Sequence, residues 1–363
     1  MSGLTRHLRD RIALQGPLTV AEFMAEALNH PRLGYYMRGD PLGRAGDFVT
    51  APEISQMFGE LIGLWCVATW EQMGRPERLV LAELGPGRGT LIADLLRAAA
   101  VVPAFRAALE VHLIEPSPAM RRLQAQTLAG EHVAWHTDLD ELPSGPLLLV
   151  ANELFDALPV RQFQRTERGW CERLVDVDRQ NGGFRFVLAP GPSPAAALIP
   201  PAPLKASLGS VVEVSPAGIG LAHAIGERVR EDRGVALVID YGRETSAPGE
   251  SLQAVRRHRR HDPLAEPGLA DLSVHVDFET LARAAREAGA RVCGPVRQAD
   301  FLRALGIEAR AARLARGASP IQRKDVHAAL RRLIDPSAMG NLFKVLAIIH
   351  PDQPTPAAFE DTP

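Results

Sequence analysis

The pattern of apolar and polar residues along the chain changes near residue 78. Before that point the apolar positions recur at helical spacing, which predicts helices and loops with no strand. Beyond it, short apolar runs alternate with helical segments such as 90–100 and 117–129. The apolar runs cover residues 78–84, 111–115, 132–136, 146–152, 235–240, 291–296 and 342–350. Strands that alternate with helices predict a doubly wound parallel sheet with helices on both faces.

This change of pattern suggests a division of the chain into three parts. Residues 1–75 form a helical N-terminal segment, and residues 76–350 form the α/β domain. Two stretches interrupt the alternation: 159–205 predicts extra strands and a proline-rich linker, whereas 241–277 predicts a long loop with too many charged and proline residues for a core. The proline-rich tail, 351–363, is expected to be disordered.

Composition narrows the class of protein. The 363 residues are 46% hydrophobic and 23% charged, which is typical of a globular protein. The 41 basic and 43 acidic residues leave a net charge of −2, which disfavours a nucleic-acid partner. Three cysteines without a C-x-x-C pair give no support for a metal site or a disulfide framework. Without a secretory signal or a long apolar stretch, we expect a cytoplasmic bacterial protein with no membrane insertion.

A glycine-rich turn follows the first predicted strand. Gly85, Gly87 and Gly89 form a G-x-G-x-G arrangement, so the backbone there can approach a ligand closely. The dinucleotide fingerprint has the different spacing G-x-G-x-x-G, which makes a nicotinamide dehydrogenase a poor alternative. Glu83 lies just before the turn, where its carboxylate would repel a pyrophosphate. That carboxylate suits the cationic amino-acid end of S-adenosylmethionine, so the turn predicts this cofactor.

Acidic residues also follow the next two predicted strands. Glu115 ends the second strand, where a carboxylate can accept both ribose hydroxyls of a nucleotide. The alternative is an acid favoured by the dipole at the start of the next helix. Asp138 follows the third strand and is a candidate partner for the adenine amine.

The fourth predicted strand ends in a cluster of polar side chains. Asn152, Glu153 and Asp156 lie together in the sequence at this strand end. In a doubly wound methyltransferase, this strand end faces the sulfonium methyl, which makes the three residues catalytic candidates. The alternative is that Asn152 and Asp156 are capping or turn residues.

At this point several longer segments become recognisable. The chain resembles the MidA-type family of class I methyltransferases, which includes a mitochondrial complex I assembly factor that acts as a protein arginine methyltransferase. The matching segments are residues 46–60, 83–90, 151–160, 212–216, 239–242, 262–264, 271–278 and 340–346. They occur in the expected order and extend over most of the chain.

The resemblance implies a seven-stranded class I fold with an antiparallel last strand and S-adenosylmethionine at the glycine turn. It also suggests residues that line a substrate channel or close over the cofactor, namely Asp47, Glu53, Glu213, His275 and Asp277. Asp277 has a plain alternative, because it can cap the helix that follows. The implied substrate is a protein, with a core subunit of respiratory complex I as a candidate.

The leading hypothesis is therefore methylation of a protein arginine. A guanidinium stays protonated near neutral pH, so carboxylates suit both its binding and the removal of its proton. Glu153 is the first choice for this role, with Asp156 or Glu213 in support. The alternatives are a small-molecule methyltransferase and an assembly chaperone that binds the cofactor without turnover. The basic run 256–261 favours a solvated face over a nucleic-acid site.

Overall fold

The computed structural model describes residues 3–37 and 49–360. None of the helices in these ranges has the length and apolar character to span a bilayer. The helices are α1 (Gly3–Gln15), α2 (Val20–Asn29), α3 (Ala51–Ile54), α4 (Gln56–Gln72), α5 (Thr90–Ala99), α6 (Pro103–Ala108), α7 (Pro118–Thr127), α8 (Pro216–Glu231), α9 (Phe278–Glu287), α10 (Gln298–Ala304), α11 (Ile307–Arg316), α12 (Pro320–Ile334) and α13 (Met339–Leu342).

The strands include all seven of the predicted apolar runs. The strands are β1 (Leu18–Thr19), β2 (Leu79–Leu84), β3 (Leu109–Ile114), β4 (Val133–His136), β5 (Leu147–Asn152), β6 (Arg161–Thr166), β7 (Gly169–Val177), β8 (Phe184–Pro192), β9 (Val211–Val214), β10 (Val235–Arg243), β11 (Gln253–Arg256), β12 (Arg259–His261), β13 (Asp271–Ser273), β14 (Val276–Asp277), β15 (Arg291–Arg297) and β16 (Phe343–Ile349).

The chain forms two compact units. Unit 1 consists of Met1–Phe48, Phe155–Leu221 and Thr245–Thr280, and unit 2 consists of Val49–Leu154, Ala222–Glu244 and Leu281–Pro363. The predicted N-terminal segment 1–75 is therefore divided, since α3 and α4 belong to unit 2. Unit 1 draws on both of the predicted insertions.

Unit 2 contains the doubly wound sheet. Seven of its strands lie in the order β15-β16-β10-β5-β2-β3-β4. The five strands β10, β5, β2, β3 and β4 run parallel, whereas β16 is antiparallel to both β10 and β15. This arrangement confirms the predicted class I fold with an antiparallel last strand.

The central strands of this sheet are buried along their whole length. Every residue of β2, β5 and β16 is buried, as expected for strands that are covered on both faces. Helices α4 and α5 contribute to the same apolar core, in which Phe58, Trp65 and Ile92 are almost inaccessible to solvent. The carboxyl ends of β2, β3 and β5 are thereby held in fixed positions, and these are the ends that carry the candidate site.

Unit 1 differs from the sequence prediction in two places. The N-terminal segment contains a short strand, because β1 pairs with β7 in the sheet β1-β7-β6-β9. The stretch 241–277, predicted to be a loop outside any core, contains the three-stranded sheet β12-β11-β13. Leu264, Leu272 and Val274 of this stretch are buried in an apolar cluster with α1 and α2. Their burial was not predicted, because charged and proline residues separate these three apolar side chains and dominate the composition of the stretch.

The prediction of a disordered tail is wrong for residues 351–360. Phe359 is only 1% exposed and lies in the core of unit 2, where its ring packs against Phe301. Trp65 Nε1 donates a hydrogen bond to the carbonyl of Ala357 at 3.1 Å. One aromatic side chain therefore anchors a segment whose proline content alone suggested disorder.

Replacing Phe359 with alanine is expected to lower the free energy of unfolding by about 3–5 kcal/mol, because it leaves a cavity in the core. Urea denaturation measures this change. The control is Leu64→Ala, which truncates a side chain that is 43% exposed and should cost less than about 1 kcal/mol. Equal losses in the two variants would show that the tail does not belong to the folded core.

Candidate active site

The glycine turn connects β2 to α5 in unit 2. Gly85, Gly87 and Gly89 have φ angles of 64°, 52° and 81°, in the left-handed region that favours glycine. A Cβ atom on Gly85 would lie 2.9 Å from Leu154 Cδ1. No side chain caps the start of α5 at Gly89, so backbone N–H groups at this end are available to a ligand.

Glu83 is the penultimate residue of β2, two positions before Gly85. Its side chain is 3% exposed, and Oε2 has no hydrogen-bond partner among the described residues. Burial raises the pKa of Glu83 to about 8, while a hydrogen bond from the backbone of Ile92 opposes that rise. A buried carboxylate oxygen without a partner is rare in folded proteins. It is the kind of group that a bound cation would satisfy.

The raised pKa of Glu83 leads to a prediction on cofactor affinity. Below about pH 8 the free protein holds the carboxyl protonated, and a bound ammonium group favours its ionised form. Binding therefore releases a proton, and affinity should increase with pH and level off above about 8. Calorimetric titration with S-adenosyl-homocysteine in buffers of different ionisation enthalpy measures the released proton.

The control for this titration is Glu83→Gln, which keeps the shape of the side chain without its ionisation. We expect this variant to lack the proton release that Glu83 causes in the wild type near pH 7. The same proton release in both proteins would mean that another group carries the pH dependence.

Glu115 follows the end of β3 and makes two side-chain contacts. Oε1 accepts the N–H of Ser117 at 2.8 Å, and Oε2 accepts Gln124 Nε2 at 3.2 Å. The contact to Ser117 is the one expected of an acidic residue at the start of helix α7, which is the alternative to a ribose-binding role for Glu115. An ionised carboxylate has about four acceptor positions, so these bonds leave capacity for a ribose diol. The ribose role of Glu115 stays a prediction.

Gln124 was not identified from the sequence, although it connects two candidate groups. Its side chain is fully buried, and Nε2 donates both to Glu115 and to the carbonyl of Gly87, the latter at 2.8 Å. Its Oε1 accepts Trp135 Nε1 at 2.9 Å. The available signal was a polar residue one turn after the buried Met120 on α7. Gln124 positions the carboxylate of Glu115 relative to the glycine turn.

Glu53 lies on α3 and contacts the glycine turn within unit 2. Thr90 Oγ1 donates a hydrogen bond to Glu53 Oε1, and Arg88 Nη1 lies 3.8 Å from Glu53 Oε2. The structure thus places Glu53 beside the glycine turn, whereas the family resemblance implies that it lines a substrate channel or closes over the cofactor. Asp47, the other candidate from this segment, lies outside the described residues.

The exit of β5 holds Asn152 and Glu153. Asn152 is buried, its Oδ1 has no partner among the described residues, and its Nδ2 donates to Glu153 Oε1 at 3.3 Å. The same Glu153 oxygen accepts the N–H of Ala51 at 2.7 Å. The carboxylate is therefore held by two donors, one of which begins helix α3.

The backbone at Glu153 is strained. Its φ angle is 51°, which costs a residue with a side chain of the order of 1–3 kcal/mol. Hydrogen bonds on both sides hold this conformation: Glu153 N–H donates to Ile239 at 2.9 Å, and Leu154 N–H donates to Asp240 Oδ2 at 3.1 Å. Asp240 is fully buried. Strain of this kind concentrates at functional sites, which supports Glu153 as a candidate.

Asp138 is an exposed residue that begins a short 3₁₀ helix. Its Oδ1 accepts the N–H of Asp140 at the long distance of 3.5 Å. This weak contact leaves the carboxylate able to bind other groups. Its role at the adenine amine stays a prediction.

Asp156 belongs to unit 1, whereas Asn152 and Glu153 belong to unit 2. Its carbonyl accepts the N–H of Val274 at 2.9 Å. Within unit 1 its charge acts on Tyr36, whose hydroxyl donates to Asp271 Oδ1 at 2.9 Å. Burial, with Asp271 and Asp156 nearby, raises the pKa of Tyr36 well above its usual range. Asp156 thus lies in an acidic environment, and its catalytic role stays a prediction.

Glu213 is engaged by its own unit. Its two carboxylate oxygens accept hydrogen bonds from Gln162 Nε2 at 2.8 Å, from the N–H and hydroxyl of Ser251, and from the N–H of Leu252. The same serine hydroxyl accepts the N–H of His275 at 2.8 Å. Because both carboxylate oxygens are engaged, a structural role for Glu213 is favoured, in which it holds the start of the second insertion. The hydrogen bond of His275 uses only its backbone N–H, so it assigns no chemical role to the imidazole.

Asp277 makes the helix-capping contact that is the alternative to a place in a substrate channel. Its Oδ1 accepts the N–H of Thr280 at 3.1 Å, at the start of α9, and the hydroxyl of Ser246 at 3.0 Å. A carboxylate in this position stabilises the first turn of a helix. These contacts explain Asp277 without a substrate, and its placement in a channel stays untested.

Among the residues that the structure describes, one group of side chains has the composition of a metal site. His7, Glu26 and His30 offer ligand atoms within 4.8 Å of one another in unit 1. Arg11 forms an ion pair with Glu26 at 2.9 Å, and the ring nitrogen Nδ1 of His30 accepts two backbone N–H groups. The arrangement is therefore an ion-pair cluster at the end of α2, in which the carboxylate of Glu26 and Nδ1 of His30 are already engaged by the protein.

Comparison with known proteins establishes the family to which this chain belongs. A family model for S-adenosyl-L-methionine-dependent methyltransferases matches residues 61–296. The chain belongs to this family. The protein arginine methyltransferase NDUFAF7 homolog of Drosophila melanogaster is 39% identical over 376 residues, which cover 95% of this chain and 84% of that protein. Human protein arginine methyltransferase NDUFAF7 is 37% identical, covering 95% and 83%.

A solved structure supports the cofactor directly. The crystal structure of a Burkholderia thailandensis protein bound to S-adenosyl-homocysteine has a TM-score of 0.86 and 32% identity, covering 99% of this chain and 95% of that one. The predicted resemblance to the MidA-type family is confirmed, and this chain is an S-adenosylmethionine-dependent methyltransferase.

The residues of unit 2 fit this cofactor. The unpartnered Oε2 of Glu83 and Oδ1 of Asn152 lie at the ends of neighbouring strands, beside a turn with an accessible backbone. When bound, the cofactor supplies an electrophilic methyl group on a sulfonium sulfur. Glu83 would hold its cationic amino end, Glu115 its ribose, and the glycines would leave room for its chain. Glu83→Gln and Gly87→Val test the first and the last of these assignments, and the role of Glu115 stays a prediction.

Proposed function

We propose that this methyltransferase methylates an arginine side chain in a protein substrate. The observation that carries the proposal is the identity of 37–39% with the Drosophila and human proteins over 95% of the chain. Both relatives are named protein arginine methyltransferases. Similarity over nearly the whole chain includes unit 1, which is where a substrate-specific addition to the methyltransferase fold would be found.

The chemistry of the acceptor suits a fixed carboxylate. A guanidinium remains protonated near neutral pH, and one of its nitrogens must lose a proton when it gains a methyl group. Glu153 is the candidate for holding the guanidinium by charge-assisted hydrogen bonds and for receiving this proton. Its Oε1 is already oriented by Ala51 and Asn152, so little reorganisation would be needed when the substrate binds.

Methyl transfer from radiolabelled S-adenosylmethionine to a cell extract tests the proposal. We expect a labelled protein band whose acid hydrolysate contains labelled methylarginine. Label in a small molecule would favour the small-molecule alternative. Binding of the cofactor without any labelled product would favour a chaperone that does not turn over, and label in methyllysine would contradict the choice of arginine.

The finer proposal is that the acceptor is a core subunit of respiratory complex I. It rests on the MidA-type family, which includes a mitochondrial assembly factor of that complex. Mass spectrometry of the homologous bacterial subunit, purified with and without the gene for this chain, tests it. Loss of an arginine methylation in the deletion strain is expected. The same methylation in both strains would exclude this subunit and leave the methyltransferase activity untouched.

A further inference from the structure

The basic run 256–261 folds into a hairpin. Strands β11 and β12 pair antiparallel, so that Arg256 lies opposite Arg259 and Val255 lies opposite Arg260. A cavity of about 560 Å³ lies against this hairpin. The residues that line it are Arg256, Arg257, Arg259, Arg260 and His261. We call residues 253–261 the basic hairpin.

Two arginines of the basic hairpin, Arg259 and Arg260, carry positive charge that no described residue compensates. Glu266 pairs with Arg256 and lies 3.8 Å from His261 Nε2. Arg259 and Arg260 are exposed, and neither has an ion pair within the ranges that the structure describes. Arg259 lies opposite Arg256 on the neighbouring strand, and Glu266 balances the charge of Arg256 alone. A protein with a net charge of −2 thus concentrates cations at one hairpin.

The turn of the basic hairpin is also strained. Arg257 and His258 form its two-residue loop, with φ angles of 50° and 60°. A loop of this kind favours Asn-Gly or Gly-Gly, because both positions require the left-handed region. Two bulky basic residues occupy it here, at a conformational cost that glycine would avoid. The two exposed arginines of β12 line the cavity beside this turn, where they can bind an anionic group.

We propose that the basic hairpin is the docking surface for an acidic segment of the protein substrate. The proposal rests on the proposed function, because only a protein acceptor offers such a segment. Strand β12 has three residues and spans about 10 Å, so its arginines can contact about three residues of an extended acidic peptide. Arginine side chains bind carboxylates through two parallel hydrogen bonds. Nucleic-acid binders instead carry an excess of basic residues over a wider surface, which this chain lacks.

A binding experiment tests the docking surface without requiring turnover. The probe is a fluorescein-labelled peptide of eight glutamates, titrated with the full chain by fluorescence anisotropy. The test variant is the double charge reversal Arg259→Glu/Arg260→Glu. The matched control is Arg122→Glu/Arg313→Glu, which reverses two exposed arginines of α7 and α11. Thermal unfolding of all three proteins establishes that each is folded.

We expect the hairpin variant to bind the peptide at least about tenfold more weakly than the wild type, and the control to bind within about twofold of it. Wild-type binding should also weaken about tenfold between 50 and 200 mM salt, because the contacts are exposed charges. Equal binding by the wild type and the hairpin variant would overturn the proposal. So would tighter binding of a 12-nucleotide oligothymidylate or of vesicles rich in phosphatidylglycerol than of the peptide.

Labelling of the cell extract separates this proposal from the proposed function. The docking surface alone fails if the hairpin variant methylates its protein acceptor with unchanged KM and kcat. The proposed function alone fails if the peptide binds in a hairpin-dependent way while no protein is labelled. Support for both is a KM for the acceptor that rises in the variant at an unchanged affinity for the cofactor.

Discussion

Replacing Gly87 with valine is expected to abolish measurable binding of S-adenosylmethionine. Gly87 has a φ angle of 52°, and its carbonyl accepts the buried side chain of Gln124 at 2.8 Å. A β-branched residue strongly disfavours this conformation, so the turn must change shape and the carbonyl must leave Gln124. Isothermal titration calorimetry should show an affinity at least about 100-fold lower, equivalent to about 2.7 kcal/mol.

The control for this variant is a second glycine with a left-handed backbone. Gly130 has a φ angle of 91°, and a Cβ atom built on it meets no atom within 4 Å. Gly130→Val therefore introduces comparable backbone strain outside the turn, and it should bind the cofactor within about threefold of the wild type. A folded Gly87→Val protein with wild-type affinity would place the cofactor elsewhere.

The sheet of unit 2 was predictable because of the way its strands are covered. Strands β5 and β16 are buried at every position, so apart from Asn152 and Lys344 they occur in the sequence as apolar runs. The alternation of these runs with helices predicted the parallel arrangement. The spacing of the glycines distinguished an S-adenosylmethionine site from a dinucleotide site. These signals are local, and each lies within a few residues of the feature that it predicts.

Unit 1 was much less predictable, because its elements come from three separate parts of the chain. Leu18 and Thr19 pair with Val175 and Leu174, and nothing in either segment indicates the other as its partner. The short strand β12 contains only Arg and His residues, so no apolar alternation marks it. Pairing between distant segments depends on the whole fold, which a reading of local patterns does not include.

The inner contacts of the candidate site show the same limit. The sequence identified Glu83, Glu115 and Glu153 because each lies at or next to the end of a predicted strand, at the edge where ligands bind. It did not reveal that Gln124 connects Glu115 to the glycine turn, or that Glu53 bonds to Thr90. These contacts join residues of different elements, and their partners become known only when the elements are packed together.

The prediction with the largest expected effect on turnover concerns Glu153. Glu153→Gln keeps an oxygen that can accept the N–H of Ala51 and the amide of Asn152, so the local geometry should survive. The substitution removes the negative charge that would pair with a guanidinium and receive its proton. We expect kcat to fall at least about 100-fold, or about 2.7 kcal/mol of transition-state stabilisation, with cofactor affinity nearly unchanged.

Single-turnover labelling of the acceptor protein, together with calorimetry for the cofactor, measures both quantities. Glu287→Gln, a change at an exposed carboxylate of α9, is the control and should leave both unchanged. If Glu153→Gln methylates at the wild-type rate, the carboxylate serves only to hold the first turn of α3. The guanidinium partner would then have to be sought at Asp156, since both oxygens of Glu213 are engaged by Gln162, Ser251 and Leu252.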